Sequence, residues 1–520
     1  MLKSSTRRWL AGLGVAGAFV AAAATPAAAD PVDEVTLYFP DTTVALGDQG
    51  KDASAKLFTR VNTQFHDATV RYDYRSLAGK VKLKAQSEAD DCEAPEEGVL
   101  LCREYSPVYV DETYGGQLTE LNIAATDEAK AGDAGDLKIS FRVGNLEKAS
   151  YTSHLRVGEG VDIAVGPDAE FDVQPGDSFK APVTMVNAGK STVDGVVAYF
   201  DNDYAIRPVD RFSNCFYTVD SIIACEFDEE IPAGAARSVT FDYQLGKDTY
   251  APGSQSGHTR FMTPADFEDL FEQRARSGAK AAKHGTGPKL SLTEASAKVA
   301  RSVQTDIDSS NNSWNISINV GGKNGADLEA IGAELTGEVG TEVTAQVGFR
   351  NNGPATLDHH RGDSQVTFVD VTLPAGTRAV QVPVNCAPFK GDGTKLTDGG
   401  KPGAPAYRCF PGVFSKAGVH LLNELRLRIE EIVPGASGTV KINAPCECQG
   451  GFSDDLKPAN DTAKILLNAT GGQGGGDGDG GSLPITGEST ALIGGIGALL
   501  LAAGVGGYVL ARRRKTRFVA

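Results

Sequence analysis

Gly176–Thr192, GDSFKAPVTMVNAGKST, and Gly340–Thr356, GTEVTAQVGFRNNGPAT, align without a gap. Each opens on glycine and then places apolar residues at every second position. These are Phe179, Ala181, Val183 and Met185 in one stretch, and Val343, Ala345, Val347 and Phe349 in the other. Each ends in a turn, Asn187 to Gly189 or Asn351 to Gly353. Side chains of a strand alternate between its faces, so a period of two predicts a half-buried strand with one face in solvent. The Asn/Gly turn marks a chain reversal and antiparallel pairing.

The correspondence extends downstream. NCFYTVDSIIAC carries Cys215 and Cys225, while the later region carries Cys386 and Cys409. A Pro/Gly turn from Pro232 precedes an alternating strand, and we align it with the one from Pro434. SSNNSWNISINV (309–320) matches PANDTAKILLNAT (458–470) in pattern. Repeats of this size are tandem domains rather than solenoid units. Residues 30–160 read as a looser copy, with Cys92, Cys102 and the alternating DLKISFRV but no Asn-Gly turn counterpart. The expectation is a mainly β chain of three tandem antiparallel β-sandwiches, 30–160, 161–322 and 323–470. One insertion stands out. Thr263 is an N-cap, Pro264 occupies the first helical position, and Phe267, Leu270 and Phe271 share a face, which predicts a short helix over about 263–280 covering an edge or end of the second sandwich.

The two ends carry different information. Lys3, Arg7 and Arg8 precede an apolar run, and small residues come after it, which describes a signal peptide over 1–29 cleaved after Ala29. The Arg pair leaves the export route open between the general and twin-arginine systems. At the other end, residues 471–482 form a Gly-rich tether, then come Leu483-Pro484-Ile485-Thr486-Gly487, an uncharged run over 491–511, and Arg512, Arg513, Arg514, Lys515 and Arg517. An uncharged run of that length spans a bilayer core as a helix, and the basic cluster stays on the cytoplasmic side. The order over 483–520 resembles the LPxTG sorting signal of Gram-positive surface proteins. The resemblance implies that a membrane-bound sortase cuts between Thr486 and Gly487 and joins the Thr486 carbonyl to a peptidoglycan amine. Sortase and peptidoglycan are the implied partners, the membrane is contacted only transiently, and the location is the cell wall, exposed on the surface. The sandwich region, with its turn, Cys pair, Pro-Gly turn and D…NN/ND strand, is similar to conserved-repeat Ig-like modules of bacterial surface proteins, a family of display and structural roles.

Composition agrees with an exported globular chain. The formal net charge is −17 with 41% hydrophobic residues, so neither nucleic acid nor a disordered stalk is expected. All eight cysteines lie in the exported part, and none has zinc-finger spacing. Because each close pair brackets a hairpin-sized segment, the expected disulfides are Cys92–Cys102, Cys215–Cys225 and Cys386–Cys409, with Cys446–Cys448 by elimination.

Catalytic signals are scarce. The chain has no HExxH, GxSxG, Walker loop or strand-borne GxGxxG, so no enzyme activity, cofactor or metal is expected. His359-His360 beside Arg361-Gly362-Asp363-Ser364 is the densest polar cluster; as metal ligands the two histidines need partners that the sequence does not show, and a solvated loop is the reading. RGDS is also a type of integrin ligand. DIDSSNN (306–312) starts like a calcium loop but lacks its Gly and closing Glu, and reads as an Asx-rich turn. The leading function is structural or adhesive display. Carbohydrate- or protein-binding modules, hinted at by the aromatics of FDNDY and DRFSNCFY, are the alternative, with a wall-anchored hydrolase third.

Overall fold

The computed structural model describes residues 35–468, apart from 88, 113, 277–281, 294–301, 361–364, 390–398 and 444–451. Ala29, the tether, the LPITG pentapeptide and the 491–511 run lie outside the described residues. No helix among those described is long and apolar enough to cross a membrane.

The quoted stretches become strands Ser178–Asn187 and Glu342–Asn351. Ala181, Val183 and Met185 are buried in the first, with Pro182 and Thr184 exposed between them, and Ala345, Val347 and Phe349 in the second, where Gln346 is exposed and Gly348 is buried. The glycines that open them, Gly176 and Gly340, have φ of 95° and 87°, a left-handed conformation that favours glycine. Each strand sits inside a four-stranded sheet. The orders are Ile163–Val165, Ser178–Asn187, Ala236–Leu245, Ile206–Pro208 in one, and Leu328–Ile331, Glu342–Asn351, His420–Ile429, Thr377–Gln381 in the other.

Against each small sheet packs a larger one. In the second sandwich it runs Ala169–Val173, Ser313–Asn324, Ala251–Met262, Val193–Asn202, Ile222–Ile231, Cys215–Tyr217, Lys283–His284. In the third it runs Ala333–Leu335, Thr462–Leu467, Ser437–Ile442, Val369–Thr372, Ala406–Cys409, Cys386–Pro388. Side chains from both sheets share one core, as Val183 and Phe241 do with Phe200, Phe227 and Ile316. The first region has the same plan. Thr36–Tyr38, Lys51–Phe58, Gly116–Ala125 and Val81–Ala85 face a sheet running Thr42–Ala45, Leu146–Val161, Ala134–Val143, Ala68–Asp73, Val99–Arg103, Asp91–Glu96.

One pairing repeats three times. The opening segment is split between the two sheets, and its second half pairs in parallel with the last long strand of the same sandwich: Thr42–Ala45 with Leu146–Val161, Ala169–Val173 with Ser313–Asn324, Ala333–Leu335 with Thr462–Leu467. This order corrects part of the sequence alignment. The strand after Pro232, Ala236–Leu245, lies in the small sheet, whereas the strand after Pro434, Ser437–Ile442, lies in the large one. The counterpart of Ala236–Leu245 is His420–Ile429. Pro/Gly turns serve any strand reversal, so they do not fix which strands correspond.

The helix runs Pro264–Arg276. Thr263 Oγ1 accepts the Asp266 N–H at 3.2 Å, as an N-cap should. Phe267 is buried on Val197, Tyr199, Ala224 and Met262, so the helix covers the outer face of the large sheet rather than an edge or end.

Candidate functional site: the two domain junctions

The sandwiches are joined by very little chain. Val161 ends the last strand of the first and Ile163 begins the second; Asn324 and Leu328 bracket residues 325–327 at the next crossing. Short connections bring side chains from different repeats into contact.

At the first junction, strand Gln304–Asp306 of the second sandwich pairs in parallel with the end of Leu146–Val161. The helix adds charge. Arg156 of the first sandwich pairs with Glu268 at 2.6 Å and with Asp269, and the Thr43 hydroxyl donates to Asp269 Oδ2 at 2.8 Å. Lys51 Nζ meets Asp266 Oδ1 at 2.6 Å. Burial pushes the Asp269 carboxyl upward against the pull of Arg156. Asp306, held in the same seam, is pushed up to about 7, chiefly by burial, with the Asp266 and Asp162 charges adding to it.

At the second junction, Asp248 links the sandwiches: its carbonyl accepts the Thr356 N–H at 2.7 Å and its carboxylate takes the Thr356 hydroxyl at 2.9 Å and Arg207 at 2.7 Å. Tyr204 meets Phe414 edge-on at 5.1 Å. Gln255 Nε2 donates to Asp358 Oδ2 at 2.7 Å in a buried contact, and Asp358 Oδ1 accepts the His360 N–H at 3.0 Å. The turn that carries both histidines is therefore fixed onto the second sandwich. His360 Nε2 shares a hydrogen bond with Asp203 Oδ2 at 2.7 Å, and His359 Nε2 lies 3.8 Å from Asp203 Oδ1. The two ring centroids lie 4.1 Å apart with their planes tilted by 36°.

That arrangement revises the solvated-loop reading. The His360 side chain is 22% exposed and the Asp203 side chain 12%, and the partner that the histidines lacked in sequence comes from another repeat. Ser256 Oγ donates to Asp203 Oδ2 at 3.0 Å. In a hydrolytic triad the histidine stands between serine and carboxylate and takes the hydroxyl proton. Here the carboxylate stands between them, so Ser256 donates to Asp203 and not to a histidine.

The other singled-out residues fall elsewhere. Cys92–Cys102, Cys215–Cys225 and Cys386–Cys409 are disulfides, each linking residues directly opposite on neighbouring strands. Cys446, Cys448 and RGDS lie outside the described residues. Within DIDSSNN, Asp306 accepts the N–H groups of Ile163 and Asp308, both at 2.9 Å, and Asn311 donates to Asp162 at 3.0 Å. The third sandwich repeats this set: Asp455 accepts from Leu328 and Lys457, both at 2.8 Å, and Asn460 donates to Asp327 at 2.9 Å. The Asx-rich turn thus tethers the entry of the second and of the third sandwich to its exit. In FDNDY and DRFSNCFY, Phe200 and Tyr217 are core residues, while Tyr204, Phe212 and Phe216 are half-buried, so none of these rings forms an exposed platform. Sequence reasoning missed Glu104, whose carboxyl is pushed up to about 7 by burial. Its neighbour Tyr72 is raised as well, first by burial and then by the Glu104 charge. Nothing in the local sequence marks either residue as unusual.

No family model matches the chain, and no curated protein matches it. Among solved structures it is similar to a chain of the complex of Dpr2 Ig1-Ig2 with DIP-Theta Ig1-Ig3, at 6% identity over 83% of this chain and 99% of that one, with a TM-score of 0.18. An I-band fragment of titin gives 8% identity over 83% and 99%, with a TM-score of 0.16. Escherichia coli alpha-2-macroglobulin gives 9% over 83% and 32%, with 0.15. Scores this low carry no argument, and the sandwich assignment rests on the strand orders themselves.

Proposed function

We propose that this chain is an exported display protein, cut by a sortase between Thr486 and Gly487 and joined to peptidoglycan through the Thr486 carbonyl. The observation that carries the reading is the order of LPITG, uncharged run and basic tail over 483–520. Pro484 biases the residue before it away from helix, which keeps the pentapeptide extended for an enzyme cleft. The Gly-rich 471–482 supplies slack between that cleft and the last sandwich. Repeats joined by one and three residues, with ion pairs and paired strands across the junctions, suit presentation of a surface away from an anchor. Replacing Thr486 with Ala should move the protein from the wall fraction to membrane and medium; unchanged wall retention contradicts the proposal.

Presentation can be purely structural or can serve a ligand. One observation favours a ligand: Tyr105, Tyr109 and Tyr114 of the first sandwich are 91%, 65% and 84% exposed. Aromatic rings with a polar tip are the usual anchors of recognition surfaces. If they bind, converting all three to Ala abolishes attachment to whichever glycan or matrix protein the wild type retains on an array. Equal retention by both proteins assigns these rings no role.

A further inference from the structure

We propose that Asp203, His359 and His360 form a binding site for one transition-metal dication, of which Zn2+ is the probe of choice, at the junction of the second and third sandwiches. Such a site goes beyond display and stands whether or not the chain is wall-anchored. Each residue offers one ligand atom, and the three atoms lie within 4.8 Å of one another. Around a tetrahedral zinc ion with bonds of about 2.0–2.2 Å, neighbouring ligand atoms sit roughly 3.3 Å apart. The two imidazole-to-carboxylate distances here, 2.7 and 3.8 Å, bracket that value. The two distances run to different oxygens of the one carboxylate, so an ion needs the Asp203 carboxylate and the His359 ring to turn toward a shared centre. Two imidazole nitrogens and one carboxylate oxygen are borderline donors, which select zinc and its neighbours over calcium or magnesium.

The supports around the three ligands are already formed. Asp203 Oδ2 receives the Ser256 N–H and hydroxyl, and the buried Gln255–Asp358 bond fixes the turn that carries both histidines. Such outer contacts orient first ligands and tune their affinity. The half-exposed His359 side faces solvent, where water can complete the shell. A metal at this position joins two repeats, so its binding should raise the melting temperature of both.

The test uses the full chain purified in detergent, stripped with chelator and titrated with zinc chloride by calorimetry. Wild type should take up one equivalent, with a melting shift on the order of 5 °C at saturating zinc. Calcium and magnesium at the same concentration should give no shift. The double substitution H359Q/H360Q should weaken binding by about 100-fold or more, and D203N by at least about 10-fold. His420→Gln, on an exposed strand position of the third sandwich, should bind as wild type does. Absence of zinc uptake by wild type, or uptake by the double variant at wild-type affinity, overturns the proposal. If the double variant fails to fold, X-ray absorption of zinc-loaded wild type decides: imidazole scattering from two rings supports the site, and its absence refutes it.

Discussion

Asn187 and Asn351 show what the Asn-x-Gly signal does once it is folded. Each is buried at the end of its strand. The Asn187 amide donates to the carbonyls of Ser191 and Ile231, both at 2.8 Å, and its oxygen accepts Gly189 N–H at 3.0 Å. Asn351 repeats the pattern with Ala355 and Ser415, both at 2.9 Å, and with Gly353 at 2.8 Å. One side chain thus closes its own turn and ties it to a distant segment. Asn351→Ala leaves two buried carbonyls and one amide without that partner, so it should cost the third sandwich about 2–4 kcal/mol in denaturant unfolding. A loss below that range would mean water replaces the amide. Titration gives a second prediction for single residues. Glu104 rises from 4.5 to about 7, so its protonated form is favoured by folding. Below the ordinary value both states are protonated and no penalty exists. As pH rises through 4.5 to 7 the unfolded chain releases the proton more readily, and stability is lost across that window. Asp306, raised from 3.8 to about 7, acts with the same sign at the first junction. The stability of the first sandwich should therefore fall by on the order of 2–3 kcal/mol between pH 4.5 and 7.5, and Glu104→Gln should flatten that slope. An identical slope in the variant assigns it to other groups.

Among the helices and strands, the helix and the hairpin disulfides were the most legible parts. Thr263, Pro264 and the spacing of Phe267 and Leu270 announced the helix, because caps and apolar stripes are local properties. What it covers was not legible, since Arg156 and Thr43 lie more than a hundred residues upstream. Arg156→Ala leaves the Asp269 carboxyl buried with the Thr43 hydroxyl, which should cost about 3–5 kcal/mol. Calorimetry should then resolve separate transitions for the first and second sandwiches, whereas an unchanged profile would show that the paired strands alone couple them. The three pairs Cys92–Cys102, Cys215–Cys225 and Cys386–Cys409 were readable because neighbouring antiparallel strands bring residues of close sequence number face to face. Opening Cys215–Cys225, separated by 10 positions, with Cys215→Ala frees a loop whose closure contributes about 2–3 kcal/mol. The melting point of the second sandwich should fall while that of the third stays within error.

Across all three repeats, the sequence displayed the repetition but not its wiring. Alternation at Ala181–Met185 and Ala345–Phe349 marks strands, yet the parallel pairing of each opening segment with the last long strand joins residues well over a hundred positions apart. No local pattern encodes that register. The first repeat keeps the same strand order with few matching residues, because burial at alternate positions preserves a sandwich while its turns drift. The Asp203–His359–His360 cluster was illegible for the same reason: two repeats must dock before it exists. The proposed anchoring signal differs in kind, since a sortase would read it as an extended peptide and its order in sequence would be its content. On the proposed reading, covalent attachment through that signal would make the three sandwiches a display protein, and mass spectrometry of wall fragments released by a muramidase tests it without intermediaries. The expected result is a C-terminal peptide of this chain ending at Thr486 and carrying peptidoglycan cross-bridge residues; a peptide that continues through Gly487 into the basic tail would contradict the proposed anchoring.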